Sequence, residues 1–587
     1  MTYPCPALHR IQRQRFRAPY HGLLALCCAL LFATELCLAE AAVKLAIEGA
    51  GREQRNNIRA HIGELSEGQL ANPLRMTRFI EQKAGAAMQA LGYFSATFDV
   101  RVDAGAVRLA VNPGTATHVD ALTLELTGEG SDSPLLEAPA KALRAFAKQQ
   151  MLSRDYEQRK AALLGKARRN GFLDAEFVRH EVLVDRRRHT ATIALSLNTG
   201  RRYHFGAFMA SEVPIRQARI DSLSQWQSGQ PFATATLNSV QRRLLDAGYF
   251  ASVVLEQTVD REAGVVDINA VLGMNAPNRF RTGVGFGTDT GPRATISWEK
   301  PWLNRSGHST ELELAGSAVK QSFKALYKIP SLARPDTHWQ TEFDLVEEDV
   351  EDTRSSTQQV GLAYVTPLGG GWRGSFFSKY LREQYTQGSE RGRSELFLPG
   401  ANASLTRSRG GLVPTSGFRL AASVEGAHDG LFSDATLLRL TADSRYITSY
   451  KRHRFITGLQ LGGLFLPGNS NLDDVPSSLR FFAGGDQSVR GYDYKSLAPR
   501  DANNELIGGQ YLVVGKTEYN YRFAKSWRAA LFVDAGSAFN NSSDRVYLGP
   551  GFGLHWLSPI GAMRFDVGFA ASEEQQLTLH INIGPEL

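Results

Sequence analysis

The chain has 587 residues, 66 Lys and Arg against 59 Asp and Glu, and a net charge of +7. That length exceeds what one hydrophobic core usually serves, so several domains are expected. The small charge excess gives no argument for nucleic acid, and all four cysteines (Cys5, Cys27, Cys28, Cys37) fall within the first 39 residues, so no disulfide framework or thiolate metal site is expected beyond them.

Residues 1–39 read as a secretory signal peptide. Arg10, Arg13, Arg15 and Arg17 precede an apolar run over residues 23–32, and Cys37-Leu38-Ala39 supplies the small residues of a cleavage site. A membrane-spanning helix needs about 20 apolar residues, roughly twice this run. Ala39-Glu40-Ala41 offers a second cleavage choice. Removing residues 1–39 takes away four Arg and one Glu and leaves +4. No later apolar run reaches 18 residues, so the exported chain is either soluble or crosses a membrane as a barrel.

From residue 40 to 274 a phrase recurs at the end of three helix-like runs: Gly92-Tyr93-Phe94, Gly171-Phe172-Leu173 and Gly248-Tyr249-Phe250, spaced by 79 and 77 residues. Each Gly suits the left-handed turn that ends a helix, and the aromatic after it can fold back onto that helix. Strand-like runs follow at 96–102, 175–184 and 251–259, then polar turns such as Asp185-Arg186-Arg187-Arg188-His189, then second strands at 190–197 and 265–272. A strand and helix precede, as at 121–126 and 139–150. The pattern predicts three β-α-α-β-β repeats, at 40–117, 118–201 and 202–274.

From residue 275 to 587 the texture becomes alternating segments of about ten residues divided by turns. In 511–523, Tyr511, Val513, Thr517, Tyr519, Tyr521 and Phe523 fall on one face and Lys516, Glu518, Asn520 and Arg522 on the other. Met563, Phe565, Val567 and Phe569 alternate likewise against Arg564 and Asp566. About 16 such segments, with Trp298, Trp302, Trp372, Trp527 and Trp556 at their ends, predict a transmembrane antiparallel β-barrel over a soluble sandwich.

A stretch of about 40 residues separates the segments ending near Leu466 and starting near Tyr511, far beyond a usual connection. Its centre, Gly484-Gly485-Asp486-Gln487-Ser488-Val489-Arg490-Gly491-Tyr492, lets the backbone turn tightly and present one guanidinium. Val489-Arg490-Gly491-Tyr492 resembles the VRGY motif of the BamA-type outer-membrane assembly superfamily, Phe532-Val533-Asp534-Ala535-Gly536 is similar to its acidic lumen strand, and Pro414-Thr415-Ser416-Gly417 to a family turn. The repeats resemble polypeptide-transport-associated (POTRA) domains. Three of them, a barrel of about 16 strands and the ending Ile583-Gly584-Pro585-Glu586-Leu587 are most similar to the TamA (translocation and assembly module) family.

The resemblance implies a loop folded into the lumen with Arg490 opposite Asp534, a barrel in the cell outer membrane and repeats in the periplasm. It implies assembly or secretion of β-barrel clients such as autotransporters, with a TamB-like, inner-membrane-anchored periplasmic partner docking on the first repeat. A phospholipid-transfer port serving the same partner is the alternative, and unfolded clients and outer-membrane lipids are then the other partners. A diffusion porin has no use for the repeats. Gly283, Gly285 and Gly287 on the first strand, with Ile583, Gly584 and Pro585 on the last, mark either a weak lateral seam, which the resemblance favours, or, for the three glycines, room for the folded-in loop.

Enzymatic chemistry is not expected. Asp289-Thr290-Gly291 lies in a hairpin turn, the glycines before Gly515-Lys516-Thr517 are misspaced for a phosphate loop, and no motif of catalytic, cofactor or metal-ligand spacing occurs. Arginine does not give up its proton in proteins, so Arg490 and Asp534 read as a structural clamp.

Overall fold

The computed structural model describes residues 43–103, 106–287, 290–411, 413–468, 470–558, 561–571 and 577–584. The signal peptide, the four cysteines, Asp289 and Pro585 lie outside them. The chain divides into two compact units, one holding the first two repeats and the other most of the third repeat with the barrel.

In the first repeat, β1 (Lys44–Glu48), α1 (Arg52–Ile62), α2 (Pro73–Ala90), β2 (Thr97–Asp103) and β3 (Ala106–Asn112) follow in order. Asn72 caps α2 by accepting from the Arg75 N–H at 3.1 Å, and Pro73 sits at its first position, where no N–H is needed. Met76, Ile80, Ala84, Ala87 and Met88 recur at helical spacing and bury against Val107, Leu109 and Val111. Gly92 ends the helix at φ +85°, and the Tyr93 N–H returns to the Met88 carbonyl at 2.9 Å. β3 lies between β1, parallel to it, and β2, antiparallel.

The second repeat copies this plan with β4 (His118–Thr127), α3 (Pro134–Arg144), α4 (Ser153–Arg169), β5 (Glu176–Asp185) and β6 (Thr190–Asn198). Its first helix starts at Pro134, five residues before the sequence-based start, and stops at Arg144. Pro134 fills the first-turn position that proline favours, and Pro139 is carried inside the helix, where its missing N–H forfeits one bond. Gly171 takes φ +99°, and Phe172 is buried in the repeat core. The third repeat has β7 (His204–Ala210), α5 (Gln217–Ser224), α6 (Thr234–Asp246), β8 (Phe250–Asp260) and β9 (Val265–Met274) in the order β7-β9-β8.

Sixteen antiparallel strands, β10 (Arg279–Gly287) to β25 (Leu577–Gly584), then pair each with the next. Alternation sends Leu531 and Val533 of β22 (Trp527–Phe539) outward and Phe532 and Asp534 inward. Strand length is uneven. β15 (Thr353–Gly369), β16 (Trp372–Gln387) and β17 (Glu390–Arg409) have 17, 16 and 20 residues, whereas β10, β24 (Gly561–Phe569) and β25 have 9, 9 and 8. No described helix is long and apolar enough to cross a membrane.

The third repeat is fastened to the barrel turns. The Tyr249 hydroxyl donates to the Gly307 carbonyl at 2.7 Å, the Arg216 N–H to the Arg305 carbonyl at 2.8 Å, and buried Arg219 to the Ser331 carbonyl at 2.8 Å. Trp302, expected at a strand end in the membrane girdle, instead packs on the core of this repeat. The turn between β11 (Gly291–Lys300) and β12 (Ser309–Gly316) carries it there.

Candidate functional site

The loop between β20 (His453–Phe465) and β21 (Tyr511–Ala524) crosses the lumen as a strap with an anchor on each wall. On one wall, Glu383 of β16 is fully buried and accepts from the Ser477 hydroxyl at 2.6 Å, the Ser478 N–H at 3.2 Å and the Ser478 hydroxyl. Arg439 of β19 (Leu437–Tyr450) donates to the Leu479 carbonyl at 3.0 Å and lies 4.8 Å over the Phe481 ring. Arg480 ties the limbs of the loop together, donating to the Val475 and Ile507 carbonyls, both at 2.9 Å. Leu472, Val475, Leu479 and Phe481 complete this anchor by packing on Leu381, Leu396, Leu398 and Leu464 of the wall.

At the other wall the apex turns on Gly484, Gly485 and Gly491, with φ of +101°, +95° and +96°. Arg490 is buried there. Its Nε donates to Asp534 Oδ2 at 2.6 Å and its Nη2 to Asp534 Oδ1 at 3.0 Å, a bidentate fork. Its Nη1 reaches Glu518 Oε2 at 2.7 Å and Asp566 Oδ2 at 3.0 Å, and the guanidinium lies 3.5 Å from the Phe532 ring centre. Val489 and Tyr492 pack with Ala483, Leu497 and Val514, and the Tyr492 hydroxyl donates to the Leu548 carbonyl at 3.1 Å.

The strands that receive the apex carry glycine where its backbone passes. A Cβ on Gly549 of β23 (Tyr547–Ser558) would stand 1.9 Å from the Arg490 carbonyl oxygen, and one on Gly568 of β24 2.5 Å from the Gly491 nitrogen. The closing strand also holds the apex: the Gly491 N–H donates to His580 Nε2 at 2.9 Å, Thr578 Oγ1 to the Gly491 carbonyl at 3.2 Å, and Asn582 Nδ2 to Asp486 Oδ2 at 2.6 Å.

Of the residues picked from sequence, Arg490 and Asp534 stand in direct contact. Glu518, Asp566, His580 and Glu383 join the site without having been singled out. Sequence spacing gives no metal-ligand cluster, yet the fold gathers Glu518, buried His555 and Asp566, the latter two at 2.8 Å. The Arg490 Nη1 contacts both carboxylates, supplying the positive charge there.

Residues 276–586 match the Omp85 superfamily domain, and residues 44–113 match POTRA domain TamA domain 1. The chain belongs to the Omp85 superfamily. The outer membrane protein assembly factor BamA of Nitratidesulfovibrio vulgaris is 24% identical over 380 residues, 62% of this chain and 47% of that protein, so the chain spans about half the length of the curated relative it matches. The crystal structure of BamA from Haemophilus ducreyi lacking POTRA domains 1–3 has the same fold, with a TM-score of 0.66 at 16% identity, covering 79% of this chain and 98% of that one. CdiB from Acinetobacter baumannii gives a TM-score of 0.47 at 15% identity, covering 80% and 90%.

In this Omp85 barrel the seam lies between β10 and β25, which share no ladder pairing among the described residues. Gly283, Gly285 and Gly287 pair with β11 and sit opposite Thr295, Arg293 and Gly291. A Cβ on Gly285 would meet Arg293 Nε at 3.1 Å and one on Gly287 Thr290 Oγ1 at 3.0 Å, so the nearest side chains come from β11 and the turn before it. Outward, Phe280 and Val284 are largely exposed. On β25, Ile583 and Gly584 pair with Met563 and Ala562 of β24.

Proposed function

We propose that the chain is an outer-membrane assembly and translocation factor that inserts or secretes β-rich clients such as autotransporters, with its repeats in the periplasm. One observation carries this reading: an Omp85 barrel whose lumen is crossed by an anchored strap while its first and last strands share no ladder among the described residues. A lumen crossed by the strap and a weak seam favour sideways release of a strand into lipid. The repeats suit delivery, since their three-stranded sheets leave edge strands on which an extended segment can add, and Val178 and Leu183 of β5 are exposed. The match of the first repeat to the TamA POTRA domain supports docking of a TamB-like, inner-membrane-anchored partner there. Catalysis has no part in this reading; the Arg490 clamp holds the strap.

A phospholipid-transfer port is the second reading, favoured by the same seam with exposed Phe280 and Val284 beside it. Depletion of the protein separates the two. Loss of client barrels at unchanged lipid composition is expected for the assembly factor; altered phospholipid content with client levels intact contradicts it.

A further inference from the structure

Beside the clamp lies a cavity of about 240 Å³ lined by Arg419, Arg445, Lys516 and Arg564, with Asp443 and Asp486 as acids next to them. Arg419 and Arg564 each stand four residues into strands, β18 (Ser416–Ala427) and β24, that rise from the barrel end fastened to the third repeat. The cavity therefore belongs to that half of the lumen. At about 30 Å³ per water, it has room for several waters or for an oxyanion of phosphate size.

Ion pairing and hydrogen bonding leave three cations of this cavity, Arg419, Lys516 and Arg564, incompletely satisfied. Asp486 is engaged by Asn582, and Glu518 by Arg490 and Asn520. Lys516 makes one long contact, 3.4 Å to the Asp486 carbonyl, and no carboxylate among the described residues lies within ion-pair distance of Arg419, Lys516 or Arg564. The Arg564 Nε is buried without a hydrogen-bond partner. The cavity lining holds five cations (Arg419, Arg445, Arg490, Lys516, Arg564) and three carboxylates (Asp443, Asp486, Glu518), and Arg490 is already committed to Glu518, Asp534 and Asp566.

We propose that this cavity binds a phosphate-type oxyanion, free or carried on a lipid headgroup, between Arg419, Lys516 and Arg564. A guanidinium presents a planar fork that two oxyanion oxygens satisfy at once, and the ammonium adds a point charge without geometric demand. This inference goes beyond the assembly reading and stands without it.

The test is calorimetric titration of the purified full chain in nonionic detergent with inorganic phosphate and, separately, with glycerophosphoethanolamine, each against chloride at matched ionic strength. Saturable binding above the chloride control is expected, weakened at least tenfold in Arg419→Gln and in Arg564→Gln, with each variant shown folded by heat-dependent gel mobility. Tighter binding of glycerophosphoethanolamine assigns the site to a headgroup, and tighter binding of phosphate to the free ion. Should Arg564→Gln fail to fold, Arg419→Gln, on the exposed side of the cavity, decides alone. No saturable binding of either probe, or equal binding by wild type and folded variants, overturns the proposal.

Discussion

Arg490 owes its position to a balance of large terms: a buried guanidinium is costly to desolvate, and three carboxylates, one of them bidentate, offset that cost only while all are in place. Removing one partner leaves a buried charge unpaired, so Arg490→Ala and Asp534→Ala should each cost about 3–5 kcal/mol. The double variant should lose less than the sum, because the second removal takes away a group already orphaned. Heat-dependent gel mobility of the barrel checks this, and strictly additive losses contradict the pairing. Glu383→Ala tests the opposite anchor: orphaning the buried Ser477 hydroxyl should cost about 1–3 kcal/mol, lowering the temperature of the mobility shift. Arg490 was legible from the glycines around it, whereas Asp534 and its pairing with Arg490 came from the resemblance of its strand to the family's acidic lumen strand. Glu518 and Asp566 were legible only as inward-facing residues of their strands. Which of them meet depends on the stagger of β21 to β24, which no local pattern encodes. The glycines at 549 and 568 were a usable trace, since a strand surrenders side chains where another backbone must pass.

At the level of elements, one phrase serves different ends. In the second repeat the aromatic after the helix-ending glycine fills a core, as Phe172 does. In the third, Tyr249 both packs in the core and turns its hydroxyl on the Gly307 carbonyl in the barrel turn. Gly307 has φ +79°, and a Cβ there would stand 2.4 Å from that hydroxyl oxygen. Gly307→Ala should therefore loosen the junction more than Tyr249→Phe, which forfeits one hydrogen bond worth about 1 kcal/mol. Hydrogen exchange over residues 303–308 measures this; slower or unchanged exchange in Gly307→Ala contradicts the docking. Repetition made the β-α-α-β-β unit readable three times over, and alternation made the barrel readable. The start of α3 was misjudged because Pro134 and Pro139 both satisfy the first-turn preference, and the choice between them rests on how Leu136, Ala140 and Leu143 reach the core. Trp302 was misplaced for a similar reason: an aromatic at a barrel turn looks the same in sequence whether it meets lipid or a neighbouring domain.

For the whole molecule, the proposed sideways opening makes the strap and the seam one device. Thr578, His580 and Asn582 put three polar contacts from β25 onto the loop apex, so under the proposed sideways opening the strand that parts from β10 is the one the loop holds from inside. The repeats are separable from that device, since the first buries its own core. Deleting residues 43–117 should spare barrel insertion and abolish binding of the proposed TamB-like partner; unchanged affinity contradicts docking on that repeat. The most direct test of sideways opening uses the confinement of every native cysteine to residues 1–39. With one cysteine introduced on β10 and one on β25, client assembly is measured in proteoliposomes before oxidation, after it, and after reduction. Assembly should stop when the strands are crosslinked and return on reduction, whereas a crosslinked barrel that assembles clients at the uncrosslinked rate contradicts opening at this seam.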